Sequence, residues 1–146
     1  MVKLYLDTCS IQRPLDTLNQ VRLRLEAEAI LGVLAQVNTG AVDLISSTVL
    51  ELELQRNPQA VRREHGEQVL AQATTIVIVD EQIEKRSAYF VQLGVKIMDA
   101  LHLAAAEAAQ ADYFCTCDDR FLRRAKSIPG LRTVVVSPLA LIEAIE

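Results

Sequence analysis

Apolar runs of strand length recur along this chain at Val2–Leu6, Val42–Ser46, Thr75–Val79, Asp112–Thr116 and Arg132–Val136, and the stretches between them carry apolar residues at helical spacing. That alternation constrains the fold more than any other feature. Strands separated by helices pair in parallel, because a parallel partner needs a crossover connection and a helix supplies it. The run Thr75–Val79 is continuously β-branched rather than alternating, the pattern of a strand covered on both faces. The expected fold is therefore α/β, a three-layer α/β/α sandwich around a mostly parallel central sheet. With 146 residues and 51% hydrophobic content, the chain is expected to form a single domain over residues 1–146.

Local signals set the helix limits. Arg13-Pro14-Leu15-Asp16 reads as a loop, and Leu18–Val37 as a long first helix that stops at Asn38-Thr39-Gly40. Ser46, Ser47 or Thr48 can cap the next helix, which carries Glu51 and is broken by Asn57-Pro58. A helix with Arg62, Arg63, Glu64 and Glu67 on its outer side follows. Asp80 caps another that runs to about Leu93, and Gly94 ends it. An alanine-rich helix then starts at Lys96–Asp99, a short one spans Asp118–Lys126, and Pro138–Ile145 closes the chain.

Several function classes drop out on composition. No apolar stretch approaches the roughly 20 residues of a membrane-spanning helix, and Met1 leads directly into a strand with no secretory signal pattern, so the expectation is a soluble, cytoplasmic protein. Three cysteines are an odd number, and Cys115 and Cys117 alternate on a strand; a disulfide scaffold is not expected. Cys9 and Cys117 adjoin Asp7 and Asp118, which makes them candidate soft-metal or oxidation sites. The net charge of −4 argues against a generally basic, nucleic-acid-binding surface. Arg62, Arg63, Arg120, Arg123 and Arg124 remain available for local phosphate contacts.

Four acids stand at structurally similar places: Asp7 and Asp118 after strands, Glu51 and Asp99 in the first turns of helices, where the helix dipole favours negative charge. In an open α/β sheet, ligands bind beyond the carboxyl ends of the strands where strand order reverses. Four carboxylates brought there repel one another, and a hard divalent cation relieves the repulsion. Each acid also has a plainer role as a turn, cap or solvated residue.

The segments LDTCSI, ISSTVLELEL, MDALHLAAAEAAQADYFCTCDD and VVVSP resemble the PIN domain, the fold of many VapC-type toxin ribonucleases, over nearly the whole chain. The resemblance implies a metal-dependent endoribonuclease that uses Mg²⁺ or Mn²⁺, has RNA as its substrate and has an antitoxin protein as its partner. It places Asp7, Glu51, Asp99 and Asp118 at the catalytic metal site. Asp7 and Asp99 would be the main ligands, Glu51 and Asp118 would act through water or a second ion, and Thr8 and Thr116 would orient the carboxylates. Cys9 and Ser10 depart from the asparagine common after the first motif. Glu53 and Asp119 are neighbouring rivals of Glu51 and Asp118, with Glu53 expected to point elsewhere, and His102 is expected to pack in the core or bond to backbone.

A PIN-fold RNA-binding or protein-interaction module with weak or no catalysis is the alternative. A phosphatase using Asp7 as nucleophile fits less well, since Asp7-Thr8-Cys9 lacks a second acid at the expected spacing. The apolar residues of Leu18–Val37 and Val61–Ala73 allow a homodimer.

Overall fold

The computed structural model describes all residues, 1–146. Val2–Leu6 forms β1, the middle strand of a five-stranded sheet in the order β3-β2-β1-β4-β5. Its neighbours are β2 (Val42–Ser47) and β4 (Tyr113–Cys115); β3 (Thr75–Val77) and β5 (Val134–Val136) are the edges. Every pairing is parallel. Successive residues on a strand face opposite sides of the sheet, and Leu4, Tyr5 and Leu6 are all fully buried. Both faces of β1 are therefore covered, which gives the three-layer sandwich.

The helices are α1 (Thr8–Gln12), α2 (Val21–Asn38), α3 (Thr48–Gln55), α4 (Ala60–Leu70), α5 (Glu81–Gln92), α6 (Ile97–Ala108), α7 (Asp119–Lys126) and α8 (Pro138–Ile145). α2 packs against α8 and touches β2, whereas α5 packs against α6, which lies on β2 and β3. One contiguous core of 29 buried residues joins the layers, with the stacked rings of Tyr5 and Phe114, 5.1 Å apart, near its centre. No helix is long and apolar enough to cross a membrane.

Two expectations need correction. Arg13–Asp16 is not a simple loop: α1 precedes it and a 3-10 turn occupies Arg13–Leu15. Asp7 initiates α1, its side chain accepting the Ser10 N–H at 3.0 Å, an N-cap that ends the strand and starts the helix with one residue. The run Thr75–Val79 is a short edge strand with Ile76 and Ile78 exposed; only Val77 is buried. Beyond Val77 the ladder stops, and the Val79 N–H bonds instead to Thr48 Oγ1 at 3.3 Å.

The topology explains where a site can form. The chain moves outward from β1 to β2 and β3, then returns past β1 to place β4 and β5 on its other side. Strand order thus reverses between β1 and β4, and their adjacent carboxyl ends open a crevice that the crossover helices cannot fill.

Candidate metal site

The crevice is a cavity of about 440 Å³ lined by Asp7, Thr8, Cys9, Gln12, Asp16, Glu53, Asn57, Arg62, Asp99, His102 and Asp118. Five carboxylates face one arginine there, and that arginine already pairs with Asp16 at 2.9 Å. The cavity is a strongly negative pocket.

Asp7 stands at the carboxyl end of β1, its own N–H bonded to the Cys115 carbonyl of β4 at 3.2 Å. It is buried, 6% exposed, and burial pushes its carboxyl above the usual range. Hydrogen bonds from the Thr116 hydroxyl, the Cys9 thiol and the Ser10 N–H offset part of that cost. Thr116 Oγ1 also accepts the Asp118 N–H at 3.1 Å, so one hydroxyl ties the acid after β1 to the acid after β4. Asp118 caps α7 through Oδ1, which accepts the N–H groups of Arg120 and Phe121 at 2.9 and 3.1 Å. Its neighbour Asp119 is engaged elsewhere, in a two-point ion pair with Arg22. Asp99 sits in the first turn of α6. Its carboxyl is raised by burial, then by the charges of Asp7 and Asp118, so these three acids share one field.

Glu53, not Glu51, lines this cavity. Glu51 is exposed and belongs to a separate groove beside Leu54, Gln55 and Glu67. The cause is helix phase. At about 100° per residue, Val49, Leu50 and Leu54, the buried residues of α3, define an arc of about 140°. Glu53 falls inside that arc, and Glu51 lies about 60° beyond it. The expectation that Glu53 would point elsewhere is reversed.

Glu53 is held by two donors. Its Oε1 accepts the Thr8 hydroxyl at 2.6 Å and His102 Nε2 at 2.5 Å. Thr8 therefore orients Glu53. Burial opposes ionisation of Glu53, but the hydrogen bonds it accepts from His102 and Thr8 keep its carboxyl below the usual range. His102, expected to pack in the core or meet backbone, is buried and links two side chains: its Nδ1 lies 2.6 Å from Tyr5 Oη. Tyr5 Oη is in turn 2.7 Å from Ser47 Oγ, which accepts the Leu50 N–H at the start of α3. Burial holds the tyrosine phenol well above its usual value, hence protonated. One assignment satisfies every member: Ser47 donates to Tyr5, Tyr5 to His102 Nδ1, and His102 Nε2–H to Glu53.

All three cysteines are free thiols. The neighbouring Cys9 side chain and then the Arg13 charge hold the Cys117 thiol below its usual value against its burial. Cys115 is buried and its thiol raised by that burial.

No three His, Cys, Asp or Glu side chains converge to metal-ligand spacing. The carboxylates ring the cavity instead, an arrangement unsuited to a closed zinc cage. It fits a hard oxygen-seeking ion of the Mg²⁺ kind, which keeps several waters and takes only one or two carboxylates directly.

The fold and cavity define an all-parallel α/β domain with an acidic crevice at its strand-order reversal. Residues 4–127 match the PIN domain family, and the chain belongs to that family, whose members are generally divalent-metal nucleases. No curated protein sequence matches the chain. Among solved structures it is similar to FitAcB from Neisseria gonorrhoeae, with a TM-score of 0.61 at 18% identity over 93% of this chain and 98% of that one. It is also similar to VapBC2 from Rickettsia felis bound to a DNA fragment from their promoter, with a TM-score of 0.60 at 13% identity over 93% and 98% of the two chains.

Proposed function

We infer that the protein is an endoribonuclease that hydrolyses RNA phosphodiester bonds with Mg²⁺ or Mn²⁺, and that it is the toxin of a toxin–antitoxin pair. The observation that carries this reading is the crevice itself. Asp7, Glu53, Asp99 and Asp118 come from four separate elements and meet in one cavity where five carboxylates face a single arginine. A scaffold has no need of such a cluster, which costs stability unless a cation is held there.

Asp7 and Asp99 are the direct holders of the ion. Glu53 and Asp118 would support the ion from further out, each keeping one carboxylate oxygen free of the hydrogen bonds that fix the other. Glu53 thereby takes the place that the sequence pattern gave to Glu51. The bound ion supplies Lewis-acid activation of the scissile phosphate and of water. Thr8 and His102 hold Glu53 in one rotamer, and Thr116 holds Asp7 against Asp118. This hydrogen-bonding shell lets the acids receive an ion without reorganising.

The partner reading draws on the likeness to the FitAcB and VapBC2 structures and on apolar side chains left outside the core. Val21 and Leu25, one turn apart on α2, are 63% and 49% exposed, a ready surface for an antitoxin protein or a second copy. The test of the activity is cleavage of a mixed RNA pool with and without Mn²⁺ by the native protein and by Asp99→Asn. The native protein should cut only with metal, and the variant should not cut. Equal cutting by both, or none under any divalent metal, sinks the reading and leaves a non-catalytic binding module.

A further inference from the structure

The acidic cavity repels the polyanion it is inferred to cut, so the field that holds an RNA strand must come from elsewhere on the surface. The basic side chains divide into two groups. Arg13, Arg22, Arg62, Arg86 and Arg132 all pair with carboxylates. The others form no ion pair, and among them Lys96, Arg120, Arg123 and Arg124 are all exposed.

These four gather around two adjoining hollows that the exposed, unpaired Arg24, Arg56 and Lys85 do not line. Lys96, Arg120 and Arg124 line a small cleft of about 70 Å³ whose walls also include Asp99 and Asp118. The cleft therefore adjoins the acidic cavity across two of its own carboxylates. Lys96 is near enough to Asp99 for its charge to be felt there. Arg120 and Arg124 then continue outward with Arg123 and Ser127 along a second hollow of about 490 Å³. The result is a continuous basic path leading away from the acids.

Two features mark the path as built. Arg120 and Arg124 are one turn apart on α7, whose buried side, about 100° round the helix, is anchored by Phe121 and Ala125. Like charges at that spacing repel and weaken a helix unless an anion lies between them. The Arg124 guanidinium also lies over Gly94, where an added Cβ would stand 3.2 Å from its Cζ. Gly94 has φ +96, so the turn between α5 and α6 needs glycine and, by having it, seats the guanidinium beside the cleft.

We propose that Lys96, Arg120 and Arg124 form a phosphate track that binds the backbone of a single-stranded RNA beside the scissile bond, with Arg123 extending it. The assignment rests on the nuclease reading but is tested by binding rather than by cleavage. Guanidiniums suit this task, since they hold phosphate at two points and neutralise charge without reading the base.

The test is fluorescence anisotropy of a labelled single-stranded RNA in EDTA, across a salt series, with the native protein, R120A/R124A and R24A/R56A. The last pair removes the same charge from two exposed arginines that line neither cavity. Each single-strand phosphate contact contributes about 0.7 to the slope of log affinity against log salt, so R120A/R124A should lower the slope by about 1.4, or about 25-fold in affinity at 0.1 M relative to 1 M salt. R24A/R56A should leave slope and affinity near native. Equal losses in the two double variants, an unchanged slope in R120A/R124A, or no RNA binding by the native protein overturns the track. Thermal melting of each variant separates lost contacts from lost folding. Binding that depends on Arg120 and Arg124 with no cleavage under any metal would defeat the nuclease reading alone. Cleavage with R120A/R124A binding like native would defeat the track alone.

Discussion

Replacing Glu53 and Glu51 separately by alanine measures what helix phase has done to two identical residues two positions apart. Glu51→Ala removes an exposed side chain with no hydrogen-bond or ion-pair partner, a change expected to stay within about 0.5 kcal/mol. Glu53→Ala removes the acceptor of two donors, Thr8 Oγ1 and His102 Nε2. Thr8 is partly exposed and can turn to water, but His102 is 2% exposed and its Nε2–H is left without an acceptor. A buried donor stranded in this way costs about 1–3 kcal/mol. At about 2.1 cal/mol/K per residue, a chain of 146 residues melts with an entropy of about 0.3 kcal/mol/K, so a loss of about 2 kcal/mol lowers Tm by roughly 6 °C. The assay is calorimetric melting of the metal-free proteins at neutral pH, where the drop for Glu51→Ala should be under about 2 °C. Equal drops in the two variants, or a larger one for Glu51→Ala, would refute the argument from helix phase.

Other expectations follow the same logic. Mn²⁺ at 100 times its Kd should add about 2.7 kcal/mol and raise Tm by roughly 9 °C; Asp99→Asn should abolish most of that shift, as differential scanning fluorimetry will read. Tyr5→Phe removes the donor to His102 Nδ1 and the partner of Ser47 Oγ, both buried, and should cost about 1–3 kcal/mol in urea unfolding. Far from the cavity, buried Glu107 pairs with Arg86 at 2.7 Å and accepts the Arg132 N–H at 2.9 Å, which together hold its carboxyl below the usual range despite burial. Its stabilisation is fully present above the unfolded glutamate value of about 4.3 and is lost as pH falls through its lower folded value, so Glu107→Gln should flatten the acid limb of a pH–stability curve. Asp7 and Asp99 act with the opposite sign, because their raised values make the metal-free protein gain stability as pH falls toward them.

The part of the site carried by local signals was legible in the sequence. Asp7, Asp99 and Asp118 each sit at a boundary where a strand ends or a helix begins, and such boundaries can be read from a few neighbours. First-turn position and the helix dipole favour Glu51, while what decides which glutamate reaches the cavity is the side of α3 that faces inward. That fact was available too: Val49, Leu50 and Leu54 fix the buried arc, and Glu53 lies within it. The link from Ser47 through Tyr5 and His102 to Glu53 could not be read the same way. It joins β2, β1, α6 and α3 across up to 97 positions of sequence, and only the completed topology brings those residues together. The continuous β-branched run Thr75–Val79 implies a strand covered on both faces, yet that pattern carries no information about whether a strand lies at the centre or the edge of its sheet.

The central claim is that one cation is held in common by Asp7, Asp99, Glu53 and Asp118, and titration calorimetry of Mn²⁺ into the metal-free protein tests it most directly. Asp7→Asn and Asp99→Asn should each abolish measurable binding, Glu53→Gln should weaken it, and Glu51→Gln should match the native protein. Native-like binding in Asp99→Asn, or a loss in Glu51→Gln as large as in Glu53→Gln, would contradict the account.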